Sequence, residues 1–512
     1  MSAPDLVLLH PPALFDFREQ PRQHWLISKH VDVTPAYDYY PLGFVTIMDY
    51  LERHGLQVRI ANLAVKMTKR RRFDPRRFVR GLQPAAFGVD LHWMVHVDGA
   101  LALAQLVKEE HPQTPVLLGG LSASFFHREL IALPYVDYVV RGDSTEPVVL
   151  ELVRAIEAGR EPADIPNLTW KRGGEVVVNP LSYQPTLLDV RFNWRRVLSH
   201  LLRYRDLYGH LLTGQKWFNY CVNVFTTCRG CRYRCVFCGG SNWALGRREL
   251  ALFDLEALAE DLAVARNSSP FPIRLEGDIR QQDWRAVLEA LRRHGVNRKL
   301  HFDLFSTASK EFVQAIAEVV APPAGTLNVL SHDPAVRAAS GVCMSPEGIE
   351  QTVEHFLGAG GTMSLFFYVG LPTQTAESAR QTTRYALELM ERFHQRYPRK
   401  LDVCVAPLAP FLDPGSPAFC YPHAYDYRLR ARTAAEHREL MRSQHWVDTL
   451  NYESEHISRQ EIAEVSVWAD EQVVAAMKAD GRLPARQAAD QLRRLAQDRA
   501  ALPPRSGAPE GG

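Results

Sequence analysis

The chain has 512 residues, 46% of them hydrophobic and 23% charged, a composition that describes a soluble globular protein with room for two or three domains. A formal net charge of +2 supplies no molecule-wide field to draw nucleic acid or a membrane surface, and no apolar run approaches the roughly twenty residues that span a bilayer. The one basic run, Lys69 to Arg72 followed by Arg76, Arg77 and Arg80, reads as a solvated face.

In chain order, "DLVLLH", "QVRIANLA", "AAFGVDLHW", "PVLLGG" and "VDYVVRG" read as short buried strands. They alternate with helical stretches such as "GFVTIMDYLERHG" and "DGALALAQLVKEEH". The alternation predicts an α/β fold that begins with a doubly wound parallel sheet in residues 1–162. Ligands bind such sheets at the carboxyl ends of the strands. Those ends carry His10-Pro11-Pro12, Asp90-Leu91-His92, Gly119-Gly120 and Arg141-Gly142-Asp143.

Residues 163–204 read as a linker with a hairpin turning at Gly173-Gly174. In residues 205–420 the strands "YCVNVFTT", "PIRLEGD", "KLHFDLFST", "TLNVLS", "TMSLFFYVG" and "LDVCVAPLAP" alternate with helices, which predicts a partial (β/α)6 barrel. Residues 421–500 are helical, with Ser458-Arg-Gln-Glu461 as a capping box. The Pro/Gly-rich tail, residues 501–512, is expected to be disordered.

Four of the eight cysteines, Cys228, Cys231, Cys235 and Cys238, fall in "TTCRGCRYRCVFC". Their crowding, and an N-terminus without a charged region, a long apolar stretch or a cleavage site, indicate a reducing, cytoplasmic compartment, which disfavours disulfides. A zinc ribbon or finger would separate its two CxxC pairs by a dozen residues or more. Here only Arg232, Tyr233 and Arg234 lie between them. Soft thiolates at short spacing after a strand suit iron–sulfur ligation. Cys231-x3-Cys235-x2-Cys238 supplies three ligands to a 4Fe-4S cluster and leaves one iron open to chelation by amino and carboxylate groups. Cys228 reads as a small filler, and Cys221 and Cys404 as strand packing residues.

CxxxCxΦC after the first strand of a partial barrel resembles the radical S-adenosylmethionine (SAM) superfamily. "RGCRYRCVFC" is similar to the form found where a cobalamin-binding domain precedes the barrel. The resemblance covers roughly residues 5 to 480. "YVGLPTQTAES" is similar to the family's fifth-strand GLPxET segment, and "APLAPFLDPGSPAF" to its proline-rich ending of the sixth strand.

The resemblance implies that Cys231, Cys235 and Cys238 are the catalytic cluster ligands. It implies SAM contacts from Phe237, Gly239, Ser306, Ser331, Gly370 and Pro372, and from Glu276 or Asp278 in place of the usual GGE motif. Gly119-Gly120 matches the Gly-Gly strand ending of the cobalamin module, and Asp90-Leu91-His92 stands where many relatives have Ser-x-Leu. With Pro12, these residues are the expected cobalamin contacts. The Asp-x-His-x-x-Gly motif that supplies a cobalt-ligating histidine is absent from "HPPALFDFR", so cobalamin is expected without a protein imidazole. A dinucleotide-binding alternative lacks its G-x-G-x-x-G after the first strand.

The implied function is a cobalamin-dependent radical SAM methyltransferase. It would use a 5′-deoxyadenosyl radical and methylcobalamin to methylate an unactivated carbon, or phosphorus, of a small-molecule substrate such as a biosynthetic intermediate. An electron donor such as flavodoxin or ferredoxin would serve it; nucleic acid and membrane are not expected partners. A ring-forming or rearranging enzyme with the same cofactors is one alternative, and a cobalamin- or redox-sensing binding protein is another. "HWVDTLNYESEHISRQE" is expected to close the barrel, and the aromatic clusters "YDYY", "LHWMVH" and "FCYPHAYDY" read as packing.

Overall fold

The computed structural model describes residues 3–19, 25–28, 31–33, 42–70, 72–204, 223–247, 249–268, 272–298, 300–408 and 412–502. Cys221, the "YDYY" cluster and most of the tail lie outside the described residues.

The first sheet has seven strands, in the spatial order Val58–Asn62, Leu6–His10, Ala86–Asp90, Val116–Gly119, Tyr138–Val140, Leu168–Arg172 and Glu175–Val178. The first five are parallel. Every residue of Leu6–His10 is buried, because helices cover both faces of the sheet; this is why the strand reads as an unbroken apolar run. Strand order reverses between Leu6–His10 and Ala86–Asp90, which opens a crevice at their carboxyl ends.

The hairpin predicted as a linker extends this sheet. Leu168–Arg172 pairs antiparallel with Tyr138–Val140, and Gly173 and Gly174, at φ 57° and 92°, make a two-residue turn into Glu175–Val178. Without it, Tyr138–Val140 would present an unpaired edge.

The second sheet has six parallel strands in chain order: Asn223–Thr226, Ile273–Glu276, Leu300–Leu304, Ala324–Leu330, Thr362–Val369 and Leu401–Pro407. This is the predicted partial barrel.

Ser458 and Glu461 form the expected capping box at the start of the helix Arg459–Ala479, which packs on the last barrel strand and on the helix Ala376–Arg396. A short antiparallel pair, Tyr427–Leu429 with Tyr452–Ser454, precedes it and lays Tyr427 and Tyr452 over the end of the fifth barrel strand. The helix Ala434–Met441 reaches the first domain, where Arg438 and Arg442 each place Nε 2.9 Å from the buried Asp98. The C-terminal region thus clamps both sheets.

In the basic run, Arg76 and Arg80 pair with Glu109 and Glu110 of the helix Val97–Glu110. Among the described residues, no helix is long and apolar enough to cross a membrane.

Candidate active site

A cavity of ≈ 370 Å³ opens where the carboxyl ends of the first sheet face the barrel. Asp90, His92, Gly119 and Gly120 line it from the first sheet, and Thr226, Cys228, Arg229, Gly230 and Glu276 from the barrel. Gly120 has φ +114°, and a Cβ there would lie 2.6 Å from the His92 Cα, so only glycine brings these two strand ends together.

On the cavity floor, His10 Nδ1 lies 3.0 and 3.1 Å from the Asp90 carboxylate oxygens, with the His96 ring edge-on at 5.2 Å. Burial opposes the Asp90 charge, yet His10 nearby, with His96 and His92, holds that carboxyl below its usual range. Burial also lowers the His92 imidazole, with Asp90 and Asp143 opposing. Pro12 does not line the cavity: its carbonyl sits against Gly99, where a Cβ would be 1.8 Å away.

The cysteine loop is cradled from two sides. Val236 N donates to Ser340 O at 3.2 Å, Ala418 N to Val236 O at 2.9 Å, and Gly239 N to Asp413 Oδ2 at 3.0 Å. Gly239 allows this approach, since a Cβ would fall 2.5 Å from the Pro414 carbonyl oxygen. Phe237 packs against the core. Burial pushes the Cys231 thiol up, the Cys235 thiol up to about 11, and the Cys238 thiol, near Asp413, further still. Three thiols on one short loop are soft donors of the kind an iron–sulfur cluster takes.

Among the described residues, no three His, Cys, Asp or Glu side chains converge as ligands of a single metal ion. A four-iron cube asks something different, single thiolates on separate irons, here three of the four. Cys228 is set apart from the other three: it is buried, and it lines the interdomain cavity, which Cys231, Cys235 and Cys238 do not.

The barrel interior is polar. Arg274 pairs with Asp303, Nη2 to Oδ1 at 2.7 Å. His301 Nε2 meets Thr326 Oγ1 at 2.5 Å, and the Tyr368 hydroxyl donates to Asn328 Oδ1 at 3.1 Å. Strand alternation puts these residues on the face opposite Ile273, Leu275 and Phe302, which meet the helices. Glu276 continues this polar face into the cavity and has no hydrogen-bond partner among the described residues. Burial pushes its carboxyl up, with Arg274 opposing and Asp303 adding.

Asp278, the other candidate, is occupied: it accepts from Arg280 Nε at 2.8 Å and from Phe305 N at 2.9 Å. Ser306 bonds the Tyr233 hydroxyl at 3.0 Å, which joins the third strand end to the cysteine loop. Ser331 is fully buried, meets Thr382 Oγ1 at 3.1 Å and caps Asp333 N, the turn-capping arrangement. Gly370, at φ +97°, is covered by Tyr452, whose hydroxyl would lie 2.7 Å from a Cβ there; the buried Pro372 follows it. The close approach at Gly370 is made by this aromatic ring.

Sequence reasoning missed the polar ladder, although its signal was present as polar residues at every second position of "IRLE" and "LHFD". It also missed the pairing of Arg229 with Glu146, which no local pattern announces.

A family model for the B12-binding domain matches residues 29–150. The hopanoid C-3 methylase of Methylococcus capsulatus is 24% identical over 267 residues, 51% of this chain and 47% of that protein. Among solved structures, the radical SAM methyltransferase TsrM of Kitasatospora setae, with cobalamin and a [4Fe-4S] cluster, superposes with a TM-score of 0.58 at 16% identity, over 85% of this chain and 81% of that one. OxsB, a cobalamin-dependent SAM radical enzyme with aqua-cobalamin and SAM bound, gives 0.59 at 13% identity, over 97% and 71%. This chain has the fold of the cobalamin-dependent radical SAM enzymes. It spans about half the length of the curated relatives it matches.

Proposed function

We propose that the protein is a cobalamin-dependent radical SAM methyltransferase acting on an unactivated carbon, or on phosphorus, of a small molecule. The observation that carries this reading is the shared cavity, lined at once by the strand ends of the B12-type sheet and by the residues leading into the cysteine loop. When bound, the cofactors supply a 5′-deoxyadenosyl radical and a transferable methyl group.

The chain's own part is placement. Cys231, Cys235 and Cys238 hold the cluster, and Glu276 is the carboxyl available to an amino group, since Asp278 is committed to Arg280 and Phe305. Gly119, Gly120, Asp90 and His92 shape the cobalamin side. The C-terminal clamp, through Asp98, keeps the two sheets facing and limits water in the cavity between them. A cytoplasmic setting, and a flavodoxin or ferredoxin as electron donor, complete the reading.

The test is anaerobic reconstitution with iron, sulfide and cobalamin, followed by reduction and incubation with methyl-labelled SAM and a metabolite extract. Expected are 5′-deoxyadenosine and one labelled small-molecule product, both lost in Cys235→Ala. Deoxyadenosine without label in any product would replace methyl transfer by ring formation or rearrangement. No deoxyadenosine at all would overturn the enzymatic reading in favour of a sensor.

A further inference from the structure

The cysteine loop is tied to the first domain immediately before its first cluster cysteine. Arg229 Nη2 lies 2.6 Å from Glu146 Oε1 and Nη1 lies 2.9 Å from Oε2, a bidentate pair, and Nη2 also donates to Thr46 Oγ1 at 2.9 Å. The side chains of Arg229 and Glu146 are 14% and 3% exposed. Glu146 opens the helix Glu146–Glu157, directly after the strand-end loop Arg141-Gly142-Asp143, and Thr46 lies on the helix Leu42–Arg53. On the other side of the pair, Gly230 turns the chain at φ +88° into Cys231.

Arg247, from the chain just after the cysteine loop, repeats the arrangement. Its Nη1 lies 2.7 Å from Asp143 Oδ1 and 3.2 Å from Ser144 Oγ. Two arginines thus reach from the barrel to acids at one strand–helix junction of the first domain, and Arg229, Glu146 and Asp143 all line the shared cavity.

A buried ion pair of this kind adds little net stability compared with an apolar pair, because both ions lose their water. What it fixes is geometry, since a planar guanidinium meets a carboxylate in one orientation. Glu146 and Thr46 are anchored on helices of the first-sheet core, whereas Arg229 belongs to the short strand that delivers the cysteine loop. The pair therefore ties the position of the junction to the position of the loop.

We infer that the Arg229–Glu146 pair is a positioning element that couples the two cofactor sites: occupancy of the cluster site tightens binding of cobalamin, and the reverse by the same factor. This rests on the proposed function for the identity of both groups.

The test titrates aquocobalamin into the full chain with and without a reconstituted cluster, following the corrin absorbance. In wild type, the cluster should tighten cobalamin binding about fivefold or more, the lower range of typical allosteric coupling. Arg229→Lys and Glu146→Gln should bring the ratio near one, and the exchanged pair Arg229→Glu with Glu146→Arg should restore part of it. Thr46→Val, which removes one hydrogen bond and leaves the ion pair, should give an intermediate ratio and keeps the test decisive if the charge variants do not fold. A merely structural pair would lower stability and both affinities together while leaving their ratio unchanged, and that result overturns the coupling. Equal wild-type affinities with and without the cluster overturn it too, with the proposed function intact. No cobalamin binding in either state would count against the functional reading itself.

Discussion

The two sheets follow the same strand–helix alternation and solve opposite problems. In the first, helices cover both faces, every residue of Leu6–His10 is buried, and chemistry is confined to the strand ends. In the barrel only the outer face meets helices, and the inner face carries Arg274, His301, Asp303, Thr326, Asn328 and Tyr368 in mutual contact. An apolar layer needs no partners for its side chains, whereas a polar interior must satisfy each donor and acceptor or lose stability. The first sheet is therefore an apolar frame with polar residues at its rim, and the barrel carries polar residues along its length.

That contrast predicts different costs. The largest is expected for Arg274→Met, which leaves the Asp303 carboxylate, 2% exposed, without its partner and should cost about 4 kcal/mol. The double variant Arg274→Met with Asp303→Leu should recover most of that in denaturant unfolding. If the double variant is no better than the single one, the pair is not the unit described.

Next, Leu9→Ala in the first sheet should cost about 3 kcal/mol through a cavity. No polar substitution elsewhere should rescue it, because the lost contacts are apolar.

The third effect depends on pH. Burial, with Arg274 adding, lowers His301 from the usual 6.5 to about 3, so the native barrel holds the ring neutral while the unfolded chain protonates it. A depressed folded value contributes stability above the unfolded pKa, and that stability is lost as pH falls toward the folded one. At pH 5 the loss should be about 2 kcal/mol relative to pH 7.5. Urea midpoints of wild type and His301→Gln, compared between these pH values, isolate the contribution; equal pH dependence would remove His301 from the interior network.

The same contrast explains how much could be read in advance. Apolar runs such as "DLVLLH" and "PVLLGG" announce buried parallel strands, and all five predicted strands of the first sheet are present. Cysteine spacing is equally local, so the loop "CRYRC" and its neighbour Cys238 could be read directly. The Gly-Gly turn was legible, but not that its hairpin would cover the edge of Tyr138–Val140, because pairing partners are not written into a turn. Choosing between Glu276 and Asp278 needed Arg280 and the Phe305 amide, which meet Asp278 only in the folded loops. Ser331 and Gly370 lie at the strand ends the motifs suggested, yet Thr382 and Tyr452 occupy them from segments distant in the chain. The Arg229–Glu146 pair joins residues 83 positions apart, beyond any local pattern.

The central claim is the division of the four crowded cysteines, three holding the cluster and Cys228 facing the cavity. Iron and sulfide content, with the electron paramagnetic resonance spectrum of the reduced protein, tests it in the four single alanine variants after identical anaerobic reconstitution. Cys231→Ala, Cys235→Ala and Cys238→Ala should each lose the four-iron signal, while Cys228→Ala keeps wild-type iron and spectrum. A cluster lost in Cys228→Ala, or kept in full by any of the other three, would contradict the account.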